Sequence, residues 1–428
     1  MILWIYCKID YSYPDVAVDS WRQPIIKDHQ TNQKLQFSIP NHILLNLNLN
    51  MHLLIAPNAF KNSLTADEAA KAIAEGFLLS NLDCTCECFA IGDGGDGTAE
   101  LIIKKCRGQV QSTEVNDALG RKINATYGLI NDGKTAVIEM ANASGLRLLK
   151  HEELNPFVAT SYGTGEQIKA ALNKGAEKII IGMGGSATVD GGVGILKALG
   201  ILFLDEDGNE LNNLPGSLLN LAKVDVTNLD VRVLQTEITV LCDVDNLLLG
   251  PNGSSAVFGP QKGATEEGVK RLDTCLGRLS DVAMKETGKD MSAIKYGGTA
   301  GGAAAGLFAF LNAKLVNGID HFLELTNFEQ SLKKSNLVIT GEGSIDEQTL
   351  LGKGPFGVAA SAKKMNLPVI ALAGKVPLQN NEALQQYFDG LLAIGNQPCS
   401  LPDALTHTAE NLSRTARQLG NLLAIRNL

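Results

Sequence analysis

The run Cys84-Thr85-Cys86-Glu87-Cys88-Phe89-Ala90-Ile91-Gly92-Asp93-Gly94-Gly95-Asp96-Gly97-Thr98 passes from a strand into a glycine loop and then into a helix. Cys84–Ile91 reads as the strand, and alternation puts its three cysteines on one face. The glycines that follow let the backbone turn sharply, and a helix starts near Thr98. Upstream, Leu53–Pro57 is a short apolar run. Thr65-Ala66-Asp67-Glu68 after it is a capping box opening a helix through Phe77. Downstream, Leu337–Thr340, Val369–Ala373 and Gly390–Ile394 are short apolar strands separated by helical segments. Buried parallel strands have this texture.

The middle of the chain differs. It holds hairpin-like alternation around Ile123–Met140, a strand–loop–helix at Gly182 and the glycine-rich run Gly297–Gly306. The layout predicts an α/β protein of two domains: a Rossmann- or flavodoxin-like doubly wound domain interrupted by a second, mixed α/β domain. The expected division is 51–118 and 326–428 for the doubly wound domain and 119–325 for the inserted one.

Three glycine loops carry polar chemistry: Gly92–Thr98, Gly182-Met183-Gly184-Gly185-Ser186-Ala187-Thr188-Val189-Asp190-Gly191-Gly192, and Thr340-Gly341-Glu342-Gly343-Ser344-Ile345-Asp346. Such loops bring backbone N–H groups close to an anion, and their carboxylates suit Mg²⁺, which keeps part of its shell for water and phosphate. The combination points to a polyphosphate substrate and phosphoryl transfer.

Two local patterns point elsewhere. Gly128-Leu129-Ile130-Asn131-Asp132-Gly133-Lys134-Thr135 matches the P-loop expression, but Asn131-Asp132-Gly133 is turn chemistry and Ala136–Met140 reads as a returning strand. A β-hairpin is expected there. The Gly182 loop approaches the dinucleotide fingerprint, with Lys178–Ile181 before it and Asp205 after the strand Ile201–Leu204. An NAD(P)-dependent oxidoreductase is therefore the second reading. Asp190 opposes it, since a carboxylate at that junction repels pyrophosphate. A small-anion binding protein without turnover is the third.

From about Met51 to about Asn396 the chain resembles the bacterial-type glycerate kinases of the first class. The matching stretches are Ile55–Leu64, the Gly92 loop, Ala136–Ala141, Ser161–Glu166, the Gly182 loop, Cys242–Asn246, Phe258–Ala264, Ala300–Gly302 and Thr340–Gly343, in the family's order. Asn58 and Asn62 stand where that family usually has Asp and Gly, Val189 where it often has Asn and Leu247 where it usually has Pro. The resemblance implies the interrupted doubly wound fold, ATP and Mg²⁺ as cofactors, and D-glycerate as acceptor with 2-phosphoglycerate as product.

The reaction needs reactants positioned, charge neutralised and a hydroxyl relieved of its proton. Asp190 and Lys61 are the candidate catalytic groups, Asp190 as base or metal ligand and Lys61 as a cation for phosphate or carboxylate. Their bland readings are a helix cap and a solvated lysine. Candidate binding positions are Ser63, Gly94, Gly95, Gly184, Gly185, Ser186, Thr188, Lys262, Gly301, Gly302, Gly341, Glu342 and Gly343. Asp93, Asp96, Asp243, Asp245 and Asp346 are the candidate metal ligands; Asp243 and Asp245 share one side if a strand continues through them. Arg121 and Lys353 are weaker cations.

Composition bounds the rest. The chain has 428 residues, 45% hydrophobic and 19% charged, enough for two cores. A net charge of −9 argues against nucleic acid or an anionic membrane as partner. The 44 glycines suit a site built from loops. Eight cysteines in so long a chain do not read as a disulfide scaffold. Cys84, Cys86 and Cys88 read as small apolar residues, and reduced thiols place the protein in the cytoplasm. Residues 1–50 match nothing in the family and read as a poorly ordered extension without a signal peptide. A homodimer is left open.

Overall fold

The computed structural model describes residues 51–379 and 381–425, so the expectation for residues 1–50 lies outside the described part. Thirteen strands occur among the described residues: β1 (Met51–Pro57), β2 (Cys84–Cys88), β3 (Gln109–Asn116), β4 (Lys122–Ile130), β5 (Thr135–Glu139), β6 (Lys178–Gly182), β7 (Leu202–Leu204), β8 (Lys223–Asp225), β9 (Glu237–Cys242), β10 (Lys314–Asn317), β11 (Leu337–Ser344), β12 (Val369–Lys375) and β13 (Gly390–Ala393).

The first sheet runs β13-β12-β11-β1-β2, every pair parallel. With the residues between β2 and β11 set aside, the order is 2-1-3-4-5, the flavodoxin-like doubly wound arrangement. Thr65 accepts from Glu68 N and Glu68 reaches back to Thr65 N, so the expected capping box starts the helix Ala66–Leu78. Its apolar face packs with the helix Thr408–Ile425 over one side of this sheet, burying Ile73, Phe77, Leu412 and Ala416.

The second sheet runs β10-β9-β6-β5-β4-β3 and is mixed. β5, β6, β9 and β10 are parallel, whereas β3, β4 and β5 form an antiparallel meander. Asn131, Asp132 and Gly133 all take positive φ between β4 and β5, which is the expected hairpin turn. β3 lies upstream of residue 118 yet belongs to this sheet. β7 pairs with β8 in a separate two-stranded sheet instead of lying beside β6.

A shared layer of apolar side chains joins the two sheets. Leu54, Ala56 and Val338 of the first meet Val137, Ile180 and Leu241 of the second in one buried cluster with Ile102 and Phe322. Loops at the carboxyl ends of β1, β2 and β11 thereby meet those of β5, β6, β9 and β10. No helix among the described residues is long and apolar enough to cross a membrane.

Candidate active site

In a 2-1-3-4-5 sheet ligands gather beyond the carboxyl ends of the first and third strands, here β1 and β11. Asn58 follows β1, and its backbone N–H donates to the Gly341 carbonyl of β11 (2.8 Å). Its side-chain Nδ2 donates to Asp93 Oδ2 (2.8 Å), which also accepts from Gly354 N (3.3 Å). Asp93 Oδ1 accepts from Gly95 N (3.2 Å). Three donors from three segments thus aim one carboxylate.

The loop carrying Asp93 is wedged between the sheets. Gly184 N donates to the Gly94 carbonyl (2.9 Å). A Cβ on Gly184 would collide with the Gly95 backbone, and one on Gly185 with the Asp96 carboxylate. Only glycines permit this approach. Glu139, buried at the end of β5, accepts from Gly97 N (2.9 Å) and Ala99 N (3.1 Å) and anchors the helix Thr98–Lys105. Burial raises the Glu139 carboxyl, and those two N–H groups pull it back.

Asp243, half-buried, stands just past β9 and faces the same loop. The point a Cβ on Gly95 would occupy lies 3.1 Å from Asp93 Oδ1 and 3.9 Å from Asp243 Oδ2. Glycine at 95 keeps open a space flanked by two carboxylates. Burial, then the Asp93 charge, push Asp243 up to about 6, and Lys61 opposes them. Glu342 of β11 is pushed up to about 7 by burial first, with Asp93 adding and Lys353, Thr349 and Lys61 opposing. Thr349 Oγ1 donates to Glu342 Oε1 (3.1 Å). Lys61, though exposed, therefore acts on both Asp243 and Glu342, and Lys353 acts on Glu342.

Other expected site residues sit differently. Asp190 is buried and its two oxygens are taken up by protein donors. Oδ2 accepts from Ser161 N (2.9 Å), Ser161 Oγ (2.6 Å) and Gly194 N (3.3 Å), and Oδ1 from Gly192 N (3.0 Å). It holds the start of the helix Val193–Ala198, which is the bland alternative to a base or metal ligand. Ser63 Oγ donates to the Leu405 carbonyl (2.6 Å), a contact within the scaffold. Asp346 caps the short helix Glu347–Leu351 by accepting from Gln348 N (3.0 Å). β9 ends at Cys242, so Asp243 and Asp245 lie in irregular backbone and strand alternation does not pair them. Asp96 is exposed against Gly185. Arg121 is engaged with Asp117 (2.6 Å) and Glu153 (2.7 Å). Among the described residues no group of three or more His, Cys, Asp or Glu side chains is arranged to hold a metal by itself.

The glycines divide similarly. Gly301 and Gly302 take positive φ and press against Thr188 and Gly191, Gly341 against the Leu372 carbonyl, while nothing lies near a Cβ on Gly343. Lys262 is buried and donates to Ser186 Oγ (2.9 Å) and the Thr188 carbonyl (2.7 Å), stapling the Gly182 loop. Burial lowers it to about 7, with Asp190 and Asp243 pulling the other way. Asn58 enters the sequence reading only as a departure from the family pattern, and Glu139 and Thr349 are not among the candidate site residues. For Asn58 the signal was its place directly beyond an apolar strand; the other two reveal themselves only through tertiary partners.

These features define a doubly wound α/β enzyme whose carboxylates and lysines converge at the switch point of its parallel sheet. The family model described as glycerate kinase family matches residues 53–424. The glycerate kinase of Bacillus subtilis (strain 168) is 44% identical over 369 residues, covering 86% of this chain and 97% of that protein. The glycerate 2-kinase of Escherichia coli (strain K12) is 43% identical over 375 residues, covering 88% and 98%. A crystal structure of a Salmonella typhimurium LT2 protein assigned as glycerate kinase 2 superposes with a TM-score of 0.73 at 42% identity, covering 88% of this chain and all of that one. The chain belongs to the glycerate kinase family. The dinucleotide reading fails on geometry as well: β7 is not beside β6, and Asp205 is spent on its own turn, accepting from Asp207 N and Asn209 N.

Proposed function

We propose that the protein transfers the γ-phosphoryl group of ATP to the 2-hydroxyl of D-glycerate. The observation that carries this reading is the meeting of Asp93, Asp243 and Glu342 with Lys61 and Lys353 at the β1/β11 switch point of a glycerate kinase family member. The name of the Escherichia coli relative favours the 2-position.

Lys61 and Lys353 offset the phosphate charge. Glu342, buried until its pKa nears neutrality and held at one oxygen by Thr349, receives the hydroxyl proton as the O–P bond forms and the bond to ADP breaks. Asp190 holds a helix start in place and is not asked to move a proton. Mg²⁺ fits beside Asp93 and Asp243. Both offer hard oxygens to the space kept open by Gly95, their repulsion pushes Asp243 upward, and the absence of a third acidic ligand among the described residues leaves room for phosphate and water. When bound, the ion would neutralise charge on the phosphoryl oxygens.

We further assign two lobes, 51–108 with 326–428 and 109–325, closing over substrate from the two sheets. Free thiols at seven cysteines among the described residues support a reducing cytoplasm.

Incubation with ATP, Mg²⁺ and D-glycerate, coupled to ADP detection and followed by phosphorus NMR, tests the reaction. Glycerate-dependent ADP and a 2-phosphoglycerate signal are expected. A 3-phosphoglycerate signal would move the assignment to the other hydroxyl. No glycerate-dependent ADP would overturn it.

A further inference from the structure

Lys262 lies in the turn Pro260–Lys262 and is only 3% exposed. Its ammonium spends two of three N–H groups, both on neutral oxygens of the Gly182 loop, Ser186 Oγ and the Thr188 carbonyl. It forms no ion pair within 4 Å among the described residues. Asp190 and Asp243 act on it only from beyond ion-pair distance, so burying the ammonium is costly, and folds retain such groups where something else meets them. The second observation is independent. The Thr188 side chain is 0% exposed, and its hydroxyl has no hydrogen-bond partner among the described residues. Buried hydroxyls in native proteins nearly always have one.

Two unspent donors, an ammonium N–H on the Pro260–Lys262 turn and a hydroxyl on the Gly182 loop, are therefore held in one place away from water by the bond from Lys262 Nζ to the Thr188 carbonyl. That number matches the two oxygens of a single carboxylate. A polyphosphate fits poorly. It needs more donors, and the Asp190 and Asp243 charges that already act on Lys262 would repel its multiple negative charge. The cations suited to phosphate, Lys61 and Lys353, act on Glu342 of the other sheet, and Lys61 also acts on Asp243.

We propose that Lys262 and the Thr188 hydroxyl take the carboxylate of the substrate, so that this wall selects a small hydroxy acid over a neutral polyol. The inference rests on the reaction proposed above and assigns its acceptor an orientation: carboxylate on the Gly182 wall, hydroxyl toward the carboxylates and the phosphate.

The test compares D-glycerate with glyceramide, its neutral amide, in the parent, Lys262→Met and Thr188→Val. Charge-assisted hydrogen bonds are worth about 1.5–3 kcal/mol, so Lys262→Met should raise KM for glycerate about 10- to 100-fold. The preference for glycerate over glyceramide should fall by the same factor, and ATP affinity without glycerate should hold. Thr188→Val should lower the preference about fivefold. An unchanged preference in soluble variants, or ATP affinity falling in step with KM, would overturn the subsite. Should Lys262→Met be insoluble, Thr188→Val decides, because valine nearly preserves threonine's shape. A parent that makes no ADP from glycerate would sink the reaction and not the subsite. Stabilisation of the parent against heat by glycerate, lost in both variants, then supports the subsite, and its persistence refutes it.

Discussion

Asp190 and the trio Asp93, Asp243 and Glu342 lie in loops or strand ends at the carboxyl ends of the two sheets, yet they live in different environments. Asp190 is fully enclosed, and four hydrogen bonds from Ser161, Gly192 and Gly194 satisfy it. The trio remains partly open to the cleft; burial and then the Asp93 charge push the Asp243 and Glu342 carboxyls upward, and Asp93 and Asp243 flank the space beside Gly95. A carboxylate surrounded by donors stabilises the fold and keeps little capacity for a ligand. One held among like charges is a burden that a cation or a proton can relieve, and such places tend to be functional. The contrast moves the candidate chemistry from Asp190 to the trio.

The sharpest way to break this contrast is Glu342→Gln. If Glu342 receives the proton, turnover should fall about 10²- to 10⁴-fold. In the parent, kcat/KM should rise with pH through about 7, and the variant should lose that limb. Stability should move the other way. The folded-state value lies above the ordinary 4.5, so the protonated form stabilises the fold below about 4.5, and that contribution is lost as pH rises through about 7. Heat denaturation at pH 8 should therefore show the variant as stable as the parent or more so. Parental turnover would remove Glu342 from the chemistry.

Asp190→Asn should do the reverse. An amide cannot accept from all four donors, and one N–H₂ must face another donor. The loss should be about 3 kcal/mol of stability, read from urea unfolding, with kcat per folded molecule within a few-fold of the parent. A stable variant with collapsed turnover would restore Asp190 as the base.

The fold was legible for physical reasons. Apolar runs with glycine or capping residues at their ends, such as Leu53–Pro57 and Thr65–Glu68, carry local signals that survive in the structure as β1 and the helix Ala66–Leu78. The Asn131–Gly133 turn is equally local. Within the site the sequence names the loops but does not separate the settings of their individual carboxylates. Asp190, Asp346 and Asp93 all follow glycine-rich or polar loop residues, and only tertiary partners distinguish a helix anchor, a cap and a ligand-facing group. The reach of Asn58 to Asp93 and of Glu139 to Gly97 spans 35 and 42 positions, so no local pattern contained it.

Asn58→Ala probes the aimed carboxylate one step removed. Outer partners of a ligating group typically contribute about 10–100-fold in metal affinity, so half-saturation by Mg²⁺ should rise on that scale while kcat at saturating Mg²⁺ recovers. An unchanged Mg²⁺ requirement would mean that Asp93 does not face the ion.

The smallest effect belongs to Ser63, a polar loop residue beside Lys61 that the sequence places among the ligand-binding groups. Its hydroxyl donates to the Leu405 carbonyl at 2.6 Å, tying the loop after β1 to the segment just before the helix Thr408–Ile425. That bond is part-buried and neutral, so Ser63→Ala should cost about 1 kcal/mol in urea unfolding. KM for ATP and for glycerate should stay within twofold, since the hydroxyl has already spent its proton on the scaffold. Lys61, two residues earlier, supplies the control: Lys61→Met should raise KM for ATP and leave stability nearly untouched, because its side chain is exposed. If Ser63→Ala instead raised KM without changing stability, its hydroxyl would have to turn from Leu405 toward the ligand. Scaffold and site would then no longer separate along this loop.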